Sequence, residues 1–193
     1  QKDRFEYEIV AWAKDLESWS IAYGRIYGEP SGDAIWQDLD EMLQTTYTHE
    51  NGHEITVAAT CVDSGSNLYT ENVYKYCKAR VRQRVWPIKG QGGAGLPVVI
   101  RSSRNNAYKV RLFTLGVDPA KTTLYARPSK DKPGPGLCHF PIDYPEGYFA
   151  ALTSAKTVGP FTRGHVQLAD GHDLQLPTDP LDWRADTRPA VPT

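Results

Sequence analysis

The alternation of apolar and polar residues predicts a β-hairpin near the start of the chain. Phe5–Trp12 first alternates apolar with acidic residues and then becomes apolar, which is typical of a strand that is half exposed at its start. Ser18–Gly28 has the composition of a second strand. Because only the short segment Lys14–Glu17 links the two, we expect them to pair as an antiparallel hairpin.

The following segments alternate between helical and strand-like patterns. Apolar residues recur at spacings of three and four over Asp33–Thr46, which predicts an amphipathic helix with Asp33 as its N-cap. Ile55–Val62 is almost entirely apolar or β-branched, as expected for a strand that is buried on both faces. A second amphipathic helix is predicted over Thr70–Arg80.

Shorter elements complete a mixed α/β pattern. Three further strands are predicted, the last two around a turn at Asn105-Asn106, and two helices follow, the second with Pro145 at its start. These elements lie at Arg84–Lys89, Val98–Ile100, Val110–Leu115, Asp118–Tyr125 and Tyr148–Leu152. The order of strands and helices predicts a central sheet with helices packed against it. After Lys156 prolines interrupt the pattern, and the last residues are expected to form an extended tail.

Length and composition indicate one folded domain of ordinary size. The chain has 193 residues, of which 40% are hydrophobic and 23% charged, which excludes a disordered tail or a coiled coil. No apolar run approaches the length of about 18 residues that a membrane span needs, and no signal region is recognisable at the start. Because the chain begins without Met, we expect it to be a piece of a longer protein. Three cysteines without a Cys-x-x-Cys pair suit a reducing compartment.

The net charge of −1 conceals a strong segregation of charge along the chain. Residues 75–132 contain 14 Lys and Arg against two acids, a balance of +12, whereas residues 1–74 have a balance of −10 and residues 133–193 of −3. Such a basic middle segment is typical of a surface that binds phosphates, and it makes nucleic acid a candidate partner. A solvated basic face balanced by an acidic one in the same fold would give the same totals.

Two motifs match known functional patterns but stand in the wrong structural context. His49-Glu50-Asn51-Gly52-His53 has the residues of a zinc-peptidase motif, which requires a helix, yet Asn51-Gly52 is a strong turn signal. We therefore expect a polar loop, with a zinc hydrolase as an alternative that metal analysis would detect. Gly90–Gly95 has dinucleotide-binding spacing but leads into a predicted strand, so we expect a flexible loop. The chain contains no phosphate-binding P-loop, and no ATP site is predicted in it.

Asp63 is the most informative single residue. It stands just past the carboxyl end of the predicted apolar strand and precedes Ser64-Gly65. Ligand sites of α/β sheets gather at such strand ends, and a carboxylate there suits a hard cation such as Mg²⁺. The same Asp could instead cap the helix that follows. Two-metal hydrolysis of a phosphodiester needs several acids from different elements, so Asp63 alone does not define a site.

Six short segments stand out in order along the chain: Trp19–Gly24, Cys61–Gly65, Val85–Gly90, Gly116–Lys121, Pro133–Pro141 and Tyr148–Thr153. Together they resemble the nuclease domain of lambda-like phage terminase large subunits, the DNA-packaging motor family. The similarity covers roughly residues 1–157.

The resemblance implies a ribonuclease-H-like fold and a two-metal endonuclease that cuts double-stranded phage DNA with Mg²⁺ or Mn²⁺. Asp63 matches the second metal-binding acid of the family pattern. Gln1 matches a residue just after the first acid, which we therefore expect before residue 1. The third acid is matched most closely by Asp182, within Asp179–Arg184. Residues 158–193 form a divergent Pro-rich segment in this interpretation, after a nuclease domain at residues 1–157.

Further expectations follow from the resemblance combined with the charge pattern. A β-hairpin in the basic middle segment should be added to the central sheet. Asp118 and Lys121 match a family segment and are expected either near the site or, for Asp118, as a helix N-cap before Pro119. The terminase small subunit and the portal are the implied protein partners, and the host cytoplasm is the implied location. The alternative is an impaired prophage remnant that only binds DNA. The predicted path for duplex DNA is formed by Arg80, Arg82, Arg84, Lys89, Arg101, Arg104, Lys109 and Arg111.

Overall fold

A computed structural model describes residues 3–49, 51–104, 106–127, 134–153, 165–167 and 173–175. No helix among these residues has the length and apolar character that a membrane crossing requires. The helices are α1 (Ala34–Leu43), α2 (Thr70–Ala79), α3 (Val117–Ala126) and α4 (Glu146–Thr153). The strands are β1 (Arg4–Trp12), β2 (Ser18–Tyr27), β3 (Thr46–Thr48), β4 (Glu54–Thr56), β5 (Thr60–Asp63), β6 (Val85–Gln91), β7 (Val99–Ser103), β8 (Leu112–Gly116), β9 (Cys138–His139), β10 (His165–Gln167) and β11 (Asp173–Gln175).

The chain divides into two compact units, whose boundaries pass through β1, β2 and α3. Unit 1 consists of Gln1–Tyr7 and Gly24–Pro119, and unit 2 consists of Glu8–Tyr23 and Ala120–Thr193. The predicted domain boundary after residue 157 lies outside the described residues.

A four-stranded sheet forms the frame of unit 1. Its strand order is β5-β6-β8-β7, in which β5, β6 and β8 run parallel and β7 is antiparallel to β8. The register pairs Thr60 with Val85 and Asp63 with Ile88. The β7–β8 pair is the hairpin expected in the basic segment, and an irregularity in its register follows Val99.

Helices α1 and α2 bury their apolar sides in the core of unit 1. In both helices apolar residues recur every three or four positions. They therefore lie on one side of each helix, as the sequence predicts. The core also receives the first residue of β6 and a residue just before β8. Its buried members are Ile35, Trp36, Leu39, Val73, Tyr76, Cys77, Val85 and Val110. Burial raises the pKa of the Cys77 thiol to about 12, so this cysteine stays protonated.

A polar network ties α1 to the end of α2. Asp40 accepts hydrogen bonds from the Tyr76 hydroxyl at 2.7 Å and the Arg80 Nε at 2.6 Å, and its second oxygen accepts one from the Arg80 Nη2. The Arg80 guanidinium also lies over the Tyr76 ring, 3.9 Å from its centroid. Partial desolvation would raise the pKa of Asp40, but the hydrogen bonds from Arg80 and Tyr76 and the charge of Arg80 outweigh it and lower the pKa.

We expect Asp40→Asn to destabilise the fold at pH 7 by about 2 kcal/mol, because it weakens hydrogen bonds from a charged and a buried donor. The folded-state pKa of Asp40 lies below the ordinary 3.8, so the stabilisation is present above about pH 4 and is lost as the pH falls through the folded-state value. Urea denaturation should therefore show the difference between variant and wild type shrinking below pH 4. Asp38→Asn, at an exposed position of α1, is the control and should change the stability little at either pH.

Aromatic residues dominate the core of unit 2. Phe140, Tyr144, Tyr148 and Phe149 are buried together with Cys138, and their rings contact mainly edge to face. Strand β9 pairs in parallel with the start of β2, so this core lies beside the β1–β2 hairpin.

Hydrogen bonds join the β1–β2 hairpin to the aromatic residues within unit 2. Glu8 accepts from the Ser20 hydroxyl at 2.6 Å and from the Tyr148 hydroxyl at 2.8 Å. The hydroxyls of Ser20 and Tyr144 lie 2.8 Å apart and form a further hydrogen bond. Burial and the Glu8 carboxylate raise the pKa of Tyr148, so that its hydroxyl remains a donor at neutral pH.

The structure corrects one expectation about local structure and confirms the position of the predicted N-cap. Ile55–Val62 is not one strand buried on both faces: Glu54–Thr56 forms a separate hairpin with β3, and β5 begins only at Thr60. In the described residues β5 is an edge strand that pairs with β6 alone, so Cys61 and Asp63 are exposed. Asp33 is the N-cap residue of α1, as predicted, but its side chain makes no capping hydrogen bond and its backbone is already helical.

The predicted α/β class is confirmed, but the single central sheet is not what the structure shows. Hydrogen bonds divide the described strands among four sheets: β1-β2-β9, β3-β4, β5-β6-β8-β7 and β10-β11. In residues 158–193 the structure describes only β10 and β11, which pair antiparallel.

Candidate active site at the carboxyl edge of the parallel strands

Asp63 is the last residue of β5, and its carboxylate is exposed at the carboxyl edge of the unit 1 sheet. Because β5, β6 and β8 are parallel, their carboxyl ends meet at this edge, where ligand sites of α/β sheets commonly lie. The Asp63 Oδ1 accepts a hydrogen bond from the Gly65 N–H at 2.9 Å. Asp63 does not cap α2, which begins at Thr70 with Tyr69 as its N-cap.

The turn after Asp63 is fixed to the neighbouring strand. Ser64 is buried, and both its N–H and its hydroxyl donate to the Ile88 carbonyl at 2.8 Å. The Ser64 carbonyl in turn accepts a hydrogen bond from the Thr70 hydroxyl at the start of α2. The Asp63 carboxylate is therefore presented from a backbone that is held on both sides.

A glycine-rich loop adjoins the same edge. It follows β6 and leads into β7, so the prediction that no helix follows Gly90–Gly95 is confirmed. The Gly93 N–H donates to the Asp118 Oδ2 at 2.7 Å. A Cβ on Gly116 would lie 2.6 Å from the Pro97 carbonyl oxygen, so the chain after the loop packs directly on the end of β8.

Asp118 therefore accepts a hydrogen bond from the glycine-rich loop and is not the N-cap of α3. It lies inside α3, which begins at Val117, and its carboxylate points to a loop 25 residues earlier in the chain. Lys121 lies in the same helix, three residues later. The sequence contains no local signal for the Asp118–Gly93 contact, because the contact depends on how β6 and β8 are placed side by side.

We expect Asp118→Ala to loosen the glycine-rich loop, since the Gly93 N–H loses a charged acceptor worth about 1 kcal/mol. Amide hydrogen exchange at Gly93 should then be severalfold faster, while exchange in α2 stays unchanged. Asp118→Asn keeps an oxygen in place and should retain most of the protection. Equal exchange rates in wild type and Asp118→Ala would show that the contact does not order the loop.

The described residues do not by themselves complete a metal site. They contain no group of three or more His, Cys, Asp and Glu that could hold a metal ion. Asp63 fits as one ligand, because it offers exposed carboxylate oxygens of the kind that Mg²⁺ and Mn²⁺ prefer. Asp182, predicted as the third acid, lies outside the described residues.

Two predicted DNA-binding cations are brought together on the sheet. Lys89 in β6 and Arg101 in β7 both pair with Thr114 of β8, from its two sides, and both are exposed. Residues in register share a face of a sheet, and successive residues of a strand alternate between faces. Because Asp63 pairs with Ile88, strand alternation places Asp63 on the face opposite to Lys89.

The other predicted DNA-binding residues lie in two further places of unit 1. Arg104, Lys109 and Arg111 are exposed in the connection between β7 and β8. Arg82 and Arg84 are exposed just before β6, whereas the neighbouring Arg80 is engaged with Asp40.

The segment that resembles a zinc-peptidase motif is the turn of the β3–β4 hairpin. The His49 N–H donates to the His53 carbonyl at 2.8 Å, and Gly52 has a φ of 81°, in the left-handed region that favours glycine. Strands flank the turn on both sides, so the prediction of a connecting loop is confirmed and the helix required by the peptidase motif is not formed.

Comparison with known proteins identifies the family. The family model described as "Terminase large subunit gpA, endonuclease domain" matches residues 1–169. The chain is 35% identical over 145 residues to the terminase large subunit of Escherichia phage lambda, an alignment that covers 73% of this chain and 22% of the phage protein. For the terminase large subunit of Enterobacteria phage P21 the identity is 33% over 131 residues, covering 68% of this chain and 20% of that protein.

The chain thus spans about a fifth of the length of these two relatives. No solved structure matches it significantly. The family match covers the segments that carry Asp63, Asp118 and the basic residues of unit 1. The chain belongs to the family of terminase large subunit endonuclease domains.

Proposed function

We propose that this chain is a metal-dependent endonuclease domain that cuts double-stranded DNA during phage genome packaging. The observation that carries the proposal is the exposed Asp63 carboxylate at the carboxyl edge of three parallel strands, in a chain of the terminase endonuclease family. The terminase small subunit and the portal are the partners proposed with it.

Asp63 would hold a divalent cation, Mg²⁺ or Mn²⁺, with Asp182 as the proposed further ligand. Such cations, when bound, supply activation of water and stabilisation of the leaving oxygen in phosphodiester cleavage. The chain itself contributes by positioning the carboxylate. The hydrogen bonds from Ser64 to β6 hold the backbone of Asp63, so its carboxylate would need little reorganisation to bind the cation. We further propose the ribonuclease-H-like arrangement, in which a strand with another acid pairs with β5 on the side that no described strand occupies.

The basic residues of unit 1 would bind the DNA backbone. Lys89 and Arg101 flank one position of β8, and further exposed cations lie in the connection between β7 and β8. Contacts of this kind carry no base specificity and make the affinity fall steeply with salt concentration. Because Lys89 and Asp63 lie on opposite faces of the sheet, DNA that contacts both would pass over the edge of the sheet rather than along one face.

A plasmid-cutting assay tests the proposal. The chain is incubated with supercoiled plasmid and Mg²⁺ or Mn²⁺, and parallel samples contain EDTA. We expect nicked or linear DNA only with the metal. Cutting that persists in EDTA would contradict the proposed mechanism.

A second candidate function is DNA binding without catalysis. It is favoured by the absence, within the described residues, of three acids that could share a metal. This alternative predicts salt-dependent binding of duplex DNA that neither requires nor responds to Mg²⁺, and no cutting under any metal condition. Gel shift and plasmid assays on one preparation distinguish the two functions.

A further inference from the structure

The connection between β7 and β8 is held in a defined shape over residues 106–110. Asn106 closes a turn there, because its Nδ2 donates to the Val110 carbonyl at 2.7 Å and its Oδ1 accepts from the Val110 N–H at 3.1 Å. The Asn106 carbonyl also accepts a hydrogen bond from the Lys109 N–H at 3.0 Å. Val110 is buried in the core of unit 1, which anchors the end of the turn.

Tyr108, within this turn, packs on one side of α2. Its hydroxyl donates to the Glu71 Oε2 at 3.2 Å, and its ring contacts the Tyr74 ring edge to face, with the centroids 6.4 Å apart. The Lys75 Nζ lies 5.7 Å from the centroid of the Tyr108 ring. Because Tyr74 and Lys75 follow Glu71 by three and four residues, the three partners share one side of the helix, and Tyr108 contacts all of them.

The part of α2 that Tyr108 contacts is itself fixed to the rest of unit 1. The Thr70 hydroxyl donates to the Ser64 carbonyl at 3.0 Å, which joins the first residue of the helix to the turn after Asp63. Glu71 is the next residue of the same helical turn, and Val73 is buried in the core. Helix α2 is therefore a firm support, to which the contacts of Tyr108 attach the connection between β7 and β8.

Exposed cations surround this anchored tyrosine. Lys109 is exposed between Tyr108 and the buried Val110, and Arg104 and Arg111 are exposed nearer the two strands. A binding surface that is ordered in advance loses less conformational entropy when its ligand binds, so it binds more tightly. We propose that Tyr108 is a positioning residue, whose contacts with α2 hold the three cations in place before DNA binds. The inference rests on the proposed function and adds to it a residue that carries no positive charge.

Replacing Tyr108 by alanine tests this inference, because it removes the anchor and leaves every cation in the chain. Fluorescence anisotropy with a short labelled duplex, in EDTA and over a range of salt concentrations, measures binding without cutting. We expect the affinity to fall about tenfold, from the entropy of ordering the connection, while the slope of log affinity against log salt stays unchanged. In the free protein, amide hydrogen exchange at Lys109 should become severalfold faster. A slope reduced by about one or more would mean that phosphate contacts themselves are lost, and would contradict the inference.

A double-mutant cycle of Tyr108→Phe and Glu71→Ala isolates the hydroxyl contact. Tyr108→Phe keeps the ring against Tyr74 and Lys75 and removes only the hydroxyl, so it should fold like the wild type and bind duplex about threefold more weakly. Glu71→Ala also removes a negative charge, an effect that the cycle cancels. In the Glu71→Ala background, Tyr108→Phe should have no further effect on the affinity. An equal effect in both backgrounds would overturn the assignment of Tyr108 as a residue that acts through α2.

Tyr27→Ala is the matched control, because it removes a tyrosine that is 66% exposed at the end of β2. It should change neither the affinity for duplex nor the exchange at Lys109. If both Tyr108 variants had a lower melting temperature but bound duplex with wild-type affinity, Tyr108 would have only a structural role, and the proposed function would still stand. Failure of the wild-type chain to bind duplex would overturn both.

Discussion

Replacing Asp63 by alanine is expected to reduce metal-dependent DNA cutting by roughly a thousandfold or more. A metal ion supplies several kcal/mol of transition-state stabilisation in phosphodiester cleavage, and each 1.4 kcal/mol is about a factor of ten in rate. Asp63 is an exposed carboxylate at the carboxyl edge of the parallel strands, and its removal should also weaken binding of Mn²⁺. Plasmid cutting and calorimetric titration with Mn²⁺ measure the two effects separately.

Asp63→Asn distinguishes the charge of Asp63 from its structural hydrogen bond. The asparagine oxygen can still accept the Gly65 N–H, so the turn is retained while the anionic ligand is lost. We expect the same loss of cutting as in Asp63→Ala. Asp38→Ala, which removes an exposed carboxylate from α1, should cut like the wild type. Cutting by either Asp63 variant within about threefold of wild type would refute the assignment.

Replacing Phe149 by alanine should have the largest effect on stability, a loss of about 3–5 kcal/mol. Phe149 is 2% exposed in the aromatic core of unit 2, and its ring contacts Phe140 and Tyr148 edge to face. The cavity left by the ring would remove both the burial and the ring contacts. Urea denaturation followed by near-ultraviolet circular dichroism of the tyrosines reports on this core.

Ile142→Ala provides the comparison for Phe149→Ala within the same unit. Ile142 is 58% exposed, so its truncation should cost well under 1 kcal/mol. If the two variants lost similar stability, the aromatic cluster could not be the principal core of unit 2.

Periodicity predicts those elements whose apolar residues face a single core. Val73, Tyr76 and Cys77 follow the helical spacing and are all buried in α2, which begins at the predicted residue. The prediction for Ile55–Val62 fails because an apolar, β-branched run does not reveal how many neighbours a strand has. The structure uses this run for a hairpin strand and an edge strand instead.

The candidate site, too, could be predicted from the sequence only in part. That Asp63 ends a strand is visible in the sequence, because the apolar run stops there. The positions of Asp118 and Lys89 relative to it depend on strand register, which pairs residues far apart in the chain. A one-residue change of register would move Lys89 to the other face of the sheet, so its separation from Asp63 could not be predicted from one strand alone.

The alternation that exposes Asp63 also exposes Cys61, two residues earlier on the same side of β5. The other two cysteines, Cys77 and Cys138, are buried. A thiol-reactive fluorophore would therefore attach selectively at Cys61, although desolvation raises the pKa of this thiol and calls for mildly alkaline labelling. A dye at this position would sit next to the proposed metal ligand and give an optical signal for events at the carboxyl edge, without a cysteine having to be introduced.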